Sequence, residues 1–138
     1  MSRTLRSLFV VTDLAFIVYW SATALKLIPP EYAYSDYTNP ILVAWNWSFF
    51  PLDMLISLTG FVSLYLYRSG EATWRAWVLV SLTLTSCSGL QAVAYWAFAG
   101  DFDPWWWTAN LYLLIYPLFF IPRLLRLESV RAQISQMQ

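Results

Sequence analysis

Four long apolar blocks, separated by short polar linkers, constrain this chain more than any other feature. The blocks cover about residues 7–28, 40–67, 75–99 and 104–122. Each is long enough to cross about 30 Å of hydrocarbon, which takes about 20 helical residues. Of all residues 59% are hydrophobic and 12% are charged, whereas a soluble domain carries about 25% charge. The sequence therefore predicts an all-α integral membrane protein.

The linkers predict how the four blocks are arranged. They read "PPEYAYSDYTN", "RSGEATW" and "GDFD", and such short connections make sequential helices antiparallel neighbours. Pro40 and Pro104 suit first helical positions, and the preceding Asn39 and Asp103 suit N-caps. We expect one up-down four-helix bundle over residues 1–122.

The basic residues predict the orientation of the bundle. In a four-pass threading all seven arginines fall on one side, at positions 3, 6, 68, 75, 123, 126 and 131. The other side has only Lys26, among Glu31, Asp36, Asp101 and Asp103. The positive-inside rule then puts both termini in the cytoplasm.

Residues 123–138 form a predicted cytoplasmic tail. Aliphatic residues recur there at helical spacing, at Leu124, Leu127, Val130 and Ile134. This pattern favours a short amphipathic helix on the inner leaflet, and a frayed terminus is the alternative.

Asp53 is the first of two carboxylates inside the apolar blocks. Asn46, Asp53, Ser57 and Gly60 share one helix face, and Pro51 interrupts the backbone hydrogen bonding just before Asp53. A carboxylate at bilayer depth costs several kcal/mol unless it is protonated, paired or hydrated. We expect Asp53 to point into the bundle, either as a site for a proton, cation or ligand amine or as hydrogen-bonded packing.

Asp13 is the second carboxylate, on the first predicted helix. It is expected either to reach toward an arginine at position 3, 6 or 75, or to face Asp53 on the neighbouring helix. In the second case one of the two carboxyl groups would hold a proton, because two close carboxylates do not easily both ionise.

The last two helices supply further candidate residues. Ser81, Thr85, Ser88, Gln91 and Tyr95 form a polar stripe on the third, and the Gln91 amide needs partners. Trp20, Trp45, Trp47, Tyr95 and Trp96 are expected either to wall a pocket or to pack in the core. The predicted ligand-binding set is Asp53, Asp13, Asn46, Gln91, Asn110, Trp47, Tyr95 and Tyr116.

Several classes of function lack the residues they need. The chain has no His and one Cys, Cys87, so neither a disulfide nor a structural metal site is expected. No catalytic motif is present, which disfavours an enzyme, and no cofactor is expected. The net charge is zero and no soluble basic module is present, so nucleic acid is not an expected partner. The expected partners are membrane lipids, a larger membrane complex or further copies of the chain.

Three segments carry a resemblance to a known family. "TDLAFIVYWSATALKLIPPEY", "YTNPILVAWNWSFFPLDMLISLTG" and "CSGLQAVAYWAFAGDFDPWWWTANLYLLIYPLFF" resemble the YvaD-like family of small bacterial four-helix membrane proteins. The resemblance implies a bacterial inner-membrane location but little about function. It also directs attention to seven polar positions, Asp13, Asn46, Asp53, Gln91, Asp101, Asp103 and Asn110. The layout is also similar to that of the emopamil-binding/sigma-2-like proteins, although no motif of theirs matches.

Three functional hypotheses follow from these features. The first is binding of a lipid-like or amphipathic small molecule in an aromatic pocket with a central carboxylate. The second is an accessory subunit of a larger membrane complex, and the third is a proton-coupled small transporter. Convergence of Asn46, Asp53, Gln91 and Asn110 on a cavity would favour binding. Polar residues that are fully hydrogen-bonded in a dry core, or that face lipid, would favour the subunit.

Overall fold

The computed structural model describes residues 1–29, 32 and 37–137 as an all-helical chain. The helices are α1 (Arg3–Ala24), α2 (Pro40–Arg68), α3 (Trp74–Ala99) and α4 (Pro104–Gln136). No strand occurs within those described ranges. All four helices are long and apolar enough to cross a membrane, so the predicted all-α, membrane-type architecture is confirmed.

The starts of α2 and α4 are as predicted. The Asn39 side-chain oxygen accepts a hydrogen bond from the Ile41 backbone N–H at 3.0 Å. The Asp103 carboxylate accepts from the backbone N–H groups of Trp105 at 3.0 Å and Trp106 at 2.9 Å. These bonds satisfy donors that the first helical turn leaves without partners.

Two helix ends differ from the predicted ones. α1 stops at Ala24 rather than near residue 28, because Lys26 adopts a left-handed conformation with φ 55° and prolines follow. α4 continues through Pro117 and Pro122 to Gln136, and Leu124 is buried against the core. The predicted boundary at residue 122 is therefore not a helix end. The inner-leaflet position of the tail stays a prediction, and the side chains of Val130 and Ile134 lie outside the described part.

The order of contacts along sequential helices establishes the antiparallel arrangement, because Asp13 and Trp20 of α1 meet Ser57 and Asp53 of α2 in reverse order. Asp53 of α2 meets Trp20 of α1 on one side and Ser88 of α3 on the other. Ser86 of α3 donates to the Leu114 carbonyl of α4 at 3.1 Å. Both termini and the 69–73 linker therefore share one end of the bundle, here called the terminal end. The opposite end, where α1 ends and α2 begins and where residues 100–103 connect α3 to α4, is the distal end. Glu31 and Asp36, two of the acidic residues used to predict the orientation, lie outside the described residues.

The core has two parts, one in each half of the bundle. Near the terminal end, Leu5, Phe9, Leu64, Val78 and Leu82 pack together with Tyr116 and Leu124. Toward the distal end, the core consists of Phe16, Trp20, Phe49, Ile56 and Ala92. Sequential helices pack closely, whereas α1 and α4 make far less contact with each other.

Candidate functional site

A cavity of about 420 Å³ lies in the distal half of the bundle. α1 and α4 supply facing walls, and α2 and α3 form the back. Because α1 and α4 barely contact each other, the cavity opens sideways between them. Its volume falls within the range of about 300–1,000 Å³ that small-molecule sites have.

Asp53 is the only carboxylate among the described residues that line this cavity. One carboxylate oxygen, Oδ2, accepts a hydrogen bond from the Trp20 indole Nε1–H at 2.8 Å. The other, Oδ1, accepts from the Ser88 hydroxyl at 3.0 Å. The side chain is 4% exposed. Each carboxylate oxygen keeps acceptor capacity beyond its one bond, so Asp53 can also bind a donor that enters the cavity.

Two amides accompany Asp53 in the cavity wall, as predicted. The Asn46 side-chain oxygen accepts a hydrogen bond from the Tyr19 hydroxyl at 3.3 Å. Asn110 donates through Nδ2 to the Trp106 carbonyl at 2.8 Å, one helical turn earlier on α4. The structure thus brings Asn46, Asp53 and Asn110 to one cavity.

The walls of the cavity are largely aromatic, but they are not built from all the predicted rings. Trp20 and Trp45 line it, together with Phe16, Phe49, Trp105 and Trp106. Trp47 lies behind Trp20, with the two ring centroids 5.3 Å apart. Tyr95 stacks on Trp45 at 4.1 Å. Neither Trp47 nor Tyr95 reaches the cavity, and both support a ring that does.

Asp13 does not belong to the cavity. It is 0% exposed, and neither carboxyl oxygen has a hydrogen-bond partner among the described residues. It makes no ion pair with any arginine whose side chain the structure describes, and it packs against Gly60 of α2. Gly60 lies two helical turns, about 10 Å along the axis, from Asp53. The expectations that Asp13 reaches an arginine or faces Asp53 were both wrong, because the register of α1 against α2 pairs Asp53 with Trp20 instead.

Tyr116 lies on the terminal side of the cavity, beside Tyr112. It is 7% exposed, its hydroxyl lacks a hydrogen bond of good geometry, and its ring stacks on Tyr112 at 4.8 Å. Thr12 and Tyr112 do line the cavity, and their hydroxyls are 3.0 Å apart. That contact ties α1 to α4 at the edge of the opening. Tyr116 is therefore behind the cavity wall rather than in it.

Gln91 lies on the outer surface of α3, contrary to the prediction that it joins the site. It is exposed and does not line the cavity. Ser81, Thr85 and Ser88 face inward, and a helix turns about 100° per residue, so Gln91 lies about 80° around α3 from Ser81. Ala92 takes the inward position instead.

Sequence reasoning missed the donors that hold Asp53. The indole N–H of Trp20 and the hydroxyl of Ser88 come from two other helices, and only their register brings them together. Helical spacing did place Ser88 on the polar stripe of the third helix, but spacing within one helix does not show that its hydroxyl reaches Asp53. No cluster of three or more His, Cys, Asp or Glu side chains that could hold a metal ion occurs in the part of the chain that is described.

Two comparisons with known proteins identify relatives of this chain. The model of a family of unknown function, DUF5360, matches residues 5–131. The chain is also 54% identical over 124 residues to the uncharacterized protein YvaD of Bacillus subtilis (strain 168), covering 90% of this chain and 93% of that protein. No solved structure matches. The predicted resemblance to YvaD-like proteins is thereby confirmed, and this chain belongs to the DUF5360 family of unknown function.

Proposed function

We propose that this protein binds an amphipathic small molecule in the lateral cavity between α1 and α4. The apolar body of the ligand lies against the aromatic walls, and its polar or cationic end meets Asp53. The observation that carries the proposal is a buried carboxylate on the wall of a cavity of about 420 Å³ between α1 and α4, two helices that barely contact each other.

The polarity of the lining supports an amphipathic ligand over a wholly apolar one. Asn46, Asp53 and Asn110 contribute amide and carboxylate groups, whereas most of the remaining wall is aromatic or aliphatic. A polar end group that entered without a partner would lose its hydration, at a cost of about 1–3 kcal/mol. Asp53 and the two amides supply such partners.

The surroundings of Asp53 support a cationic end group in particular. Trp20 and Ser88 already donate to the carboxylate, and hydrogen bonds to an ionised acceptor are stronger than neutral ones. An ammonium group beside Asp53 would also lie close to the indole of Trp20, where cation–π attraction contributes about 0.5–2 kcal/mol. The same arrangement accepts a hydroxyl group, with a weaker interaction.

The two other hypotheses are supported less well by this geometry. Asn46, Asp53 and Asn110 line the cavity. They are three of the four polar residues whose direction separates the hypotheses, so this arrangement favours binding over an accessory role. Gln91, the fourth, faces outward and favours a helix–helix contact. Transport has no separate observation in its support.

The proposal places the protein in the bacterial cytoplasmic membrane with both termini inside the cell. Antiparallel helices gather the arginine-bearing segments at the terminal end of the bundle. The positive-inside rule favours the cytoplasm for that end. The cavity then opens in the outer half of the membrane.

Native mass spectrometry of the gently extracted protein tests whether the cavity is occupied. Ala109 lines the cavity on α4 and is exposed there, so Ala109→Trp should fill the opening without disturbing the core. Ala44 is exposed on α2 outside the cavity, and Ala44→Trp is the matched control.

We expect a small molecule to be retained by the wild-type protein and by Ala44→Trp, and to be lost from Ala109→Trp. No bound molecule in the wild-type protein, or equal retention by all three proteins, would contradict the proposal.

A further inference from the structure

The surface position of Gln91 points to a protein–protein contact through α3. The side chains of Asp13, Asn46, Asp53, Gln91 and Asn110 are the carboxylates and amides that lie more than one turn inside the predicted spans. Four of these five are buried, and only Gln91 is exposed. The Gln91 side chain makes no hydrogen bond with any residue in the described part of the chain.

The depth of Gln91 keeps its amide away from water. It lies about 12 Å along the helix axis from Ala99, the distal end of α3, at a rise of about 1.5 Å per residue. In a bundle whose helices are long and apolar enough to cross a membrane, the surface at that level contacts hydrocarbon. A polar side chain there is stabilised by a hydrogen bond to another helix.

The neighbours of Gln91 form a seam suited to such a helix. Val80, Cys87, Gln91, Ala94 and Phe98 follow one another at spacings of seven, four, three and four residues, the pattern of a left-handed helix pair. None of them is buried in the single chain, and Phe98 is 94% exposed. Cys87 and Ala94 are small enough to let a second helix approach closely on either side of Gln91.

We propose that two copies of this chain associate in parallel through this α3 seam, with their Gln91 side chains hydrogen-bonded to each other. A primary amide carries both a donor and an acceptor, so it is complementary to itself across a two-fold axis. Two-fold pairing brings the same patch of both copies together. Each copy has one exposed amide, so this pairing lets each Gln91 meet the Gln91 of the other copy. The contact is on α3, so the opening between α1 and α4 stays free.

Cys87 provides a direct test, because it is the single cysteine and lies one helical turn from Gln91. In the proposed dimer the two Cys87 side chains meet near the axis, and copper–phenanthroline oxidation of isolated membranes should link them into a species of twice the monomer mass. The control is Leu55→Cys in a Cys87→Ser background. Leu55 is exposed on α2 at a similar depth, and it should not cross-link.

Gln91→Leu tests the role of the amide. We expect it to keep the fold, because the residue is exposed, and to weaken dimerisation about threefold to thirtyfold, as interhelical polar contacts do. Energy transfer between donor-labelled and acceptor-labelled copies, diluted in lipid, measures the change. A linked product of any other mass, equal linking of the Leu55→Cys control, or unchanged dimerisation of Gln91→Leu would overturn the proposal.

Discussion

Gly60→Ala tests the packing of the buried Asp13 carboxyl against α2. A methyl group at position 60 would collide with that carboxyl group, and its carbon would lie 2.7 Å from the Asp13 Cγ. Asp13 is 0% exposed, so its short side chain has little room to turn away. We expect the substitution to destabilise the protein.

The magnitude follows from two opposing effects. Replacing glycine by alanine inside a helix stabilises it by about 1 kcal/mol. Overpacking in a closed core costs about 1–3 kcal/mol. The net destabilisation of the wild-type protein should therefore lie between about 0 and 2 kcal/mol. In an Asp13→Ala background the collision is absent, so Gly60→Ala should be neutral or should stabilise by up to about 1 kcal/mol.

The assay is a double-mutant cycle of thermal or denaturant unfolding in one detergent. The coupling between positions 13 and 60 should be about 1–3 kcal/mol, the size of the overpacking cost. Gly89→Ala is the matched control, because its added methyl would lie 2.6 Å from the Asn110 carbonyl oxygen on α4. It should destabilise the protein as well, but Asp13→Ala should not relieve that effect.

Either of two results would refute this reasoning. One is a wild-type protein that Gly60→Ala stabilises, which would mean that the helix propensity dominates and the contact is loose. The other is an Asp13→Ala background in which Gly60→Ala remains as harmful as before.

Three further predictions concern the site, a helix start and the topology. Trp20→Phe keeps an aromatic ring but removes the donor to Asp53 Oδ2, and it should lower the unfolding free energy by about 1–3 kcal/mol in thermal melts; an unchanged melt would mean that the bond contributes nothing. Asn39→Ala removes the N-cap of α2 and should cost about 0.5–2 kcal/mol in the same assay, with no effect on ligand retention. Ser69→Cys, in a Cys87→Ser background, should react with a membrane-impermeant thiol reagent only after the cells are opened; labelling in intact cells would reverse the proposed orientation.

The helices were predictable because their signals are local. Apolar length sets each span, and Pro40 and Pro104 with their capping neighbours mark where two helices begin. The end of α1 was less predictable, since a left-handed Lys26 ends the helix within a run that is still apolar. The continuation of α4 was missed because the apolar block ends at residue 122, whereas the helix runs on through Pro122 to Gln136.

The candidate site was only partly predictable, since it depends on register between helices. Helical periodicity correctly placed Asn46 and Asp53 on one inward face. It does not fix how far one helix is shifted along the next, and that shift decides that Asp53 meets Trp20 while Asp13 meets Gly60. Periodicity also leaves open whether a residue near the edge of an inward-facing stripe is buried or exposed. Gln91 is such a residue, and it is exposed.

Binding of a cationic amphiphile to Asp53 is the most direct test of the proposed function. The measurement is quenching of tryptophan fluorescence in lipid nanodiscs by a bromine-labelled dodecylamine and by the corresponding alcohol, corrected for partitioning into empty nanodiscs. The wild-type protein should prefer the amine, and Asp53→Asn should weaken amine binding about tenfold to a hundredfold, as expected for the loss of a charge-assisted contact. Asp13→Asn, which alters a buried carboxyl group outside the cavity, should leave the preference intact. Equal binding of the amine to the wild-type protein and to Asp53→Asn would contradict the account.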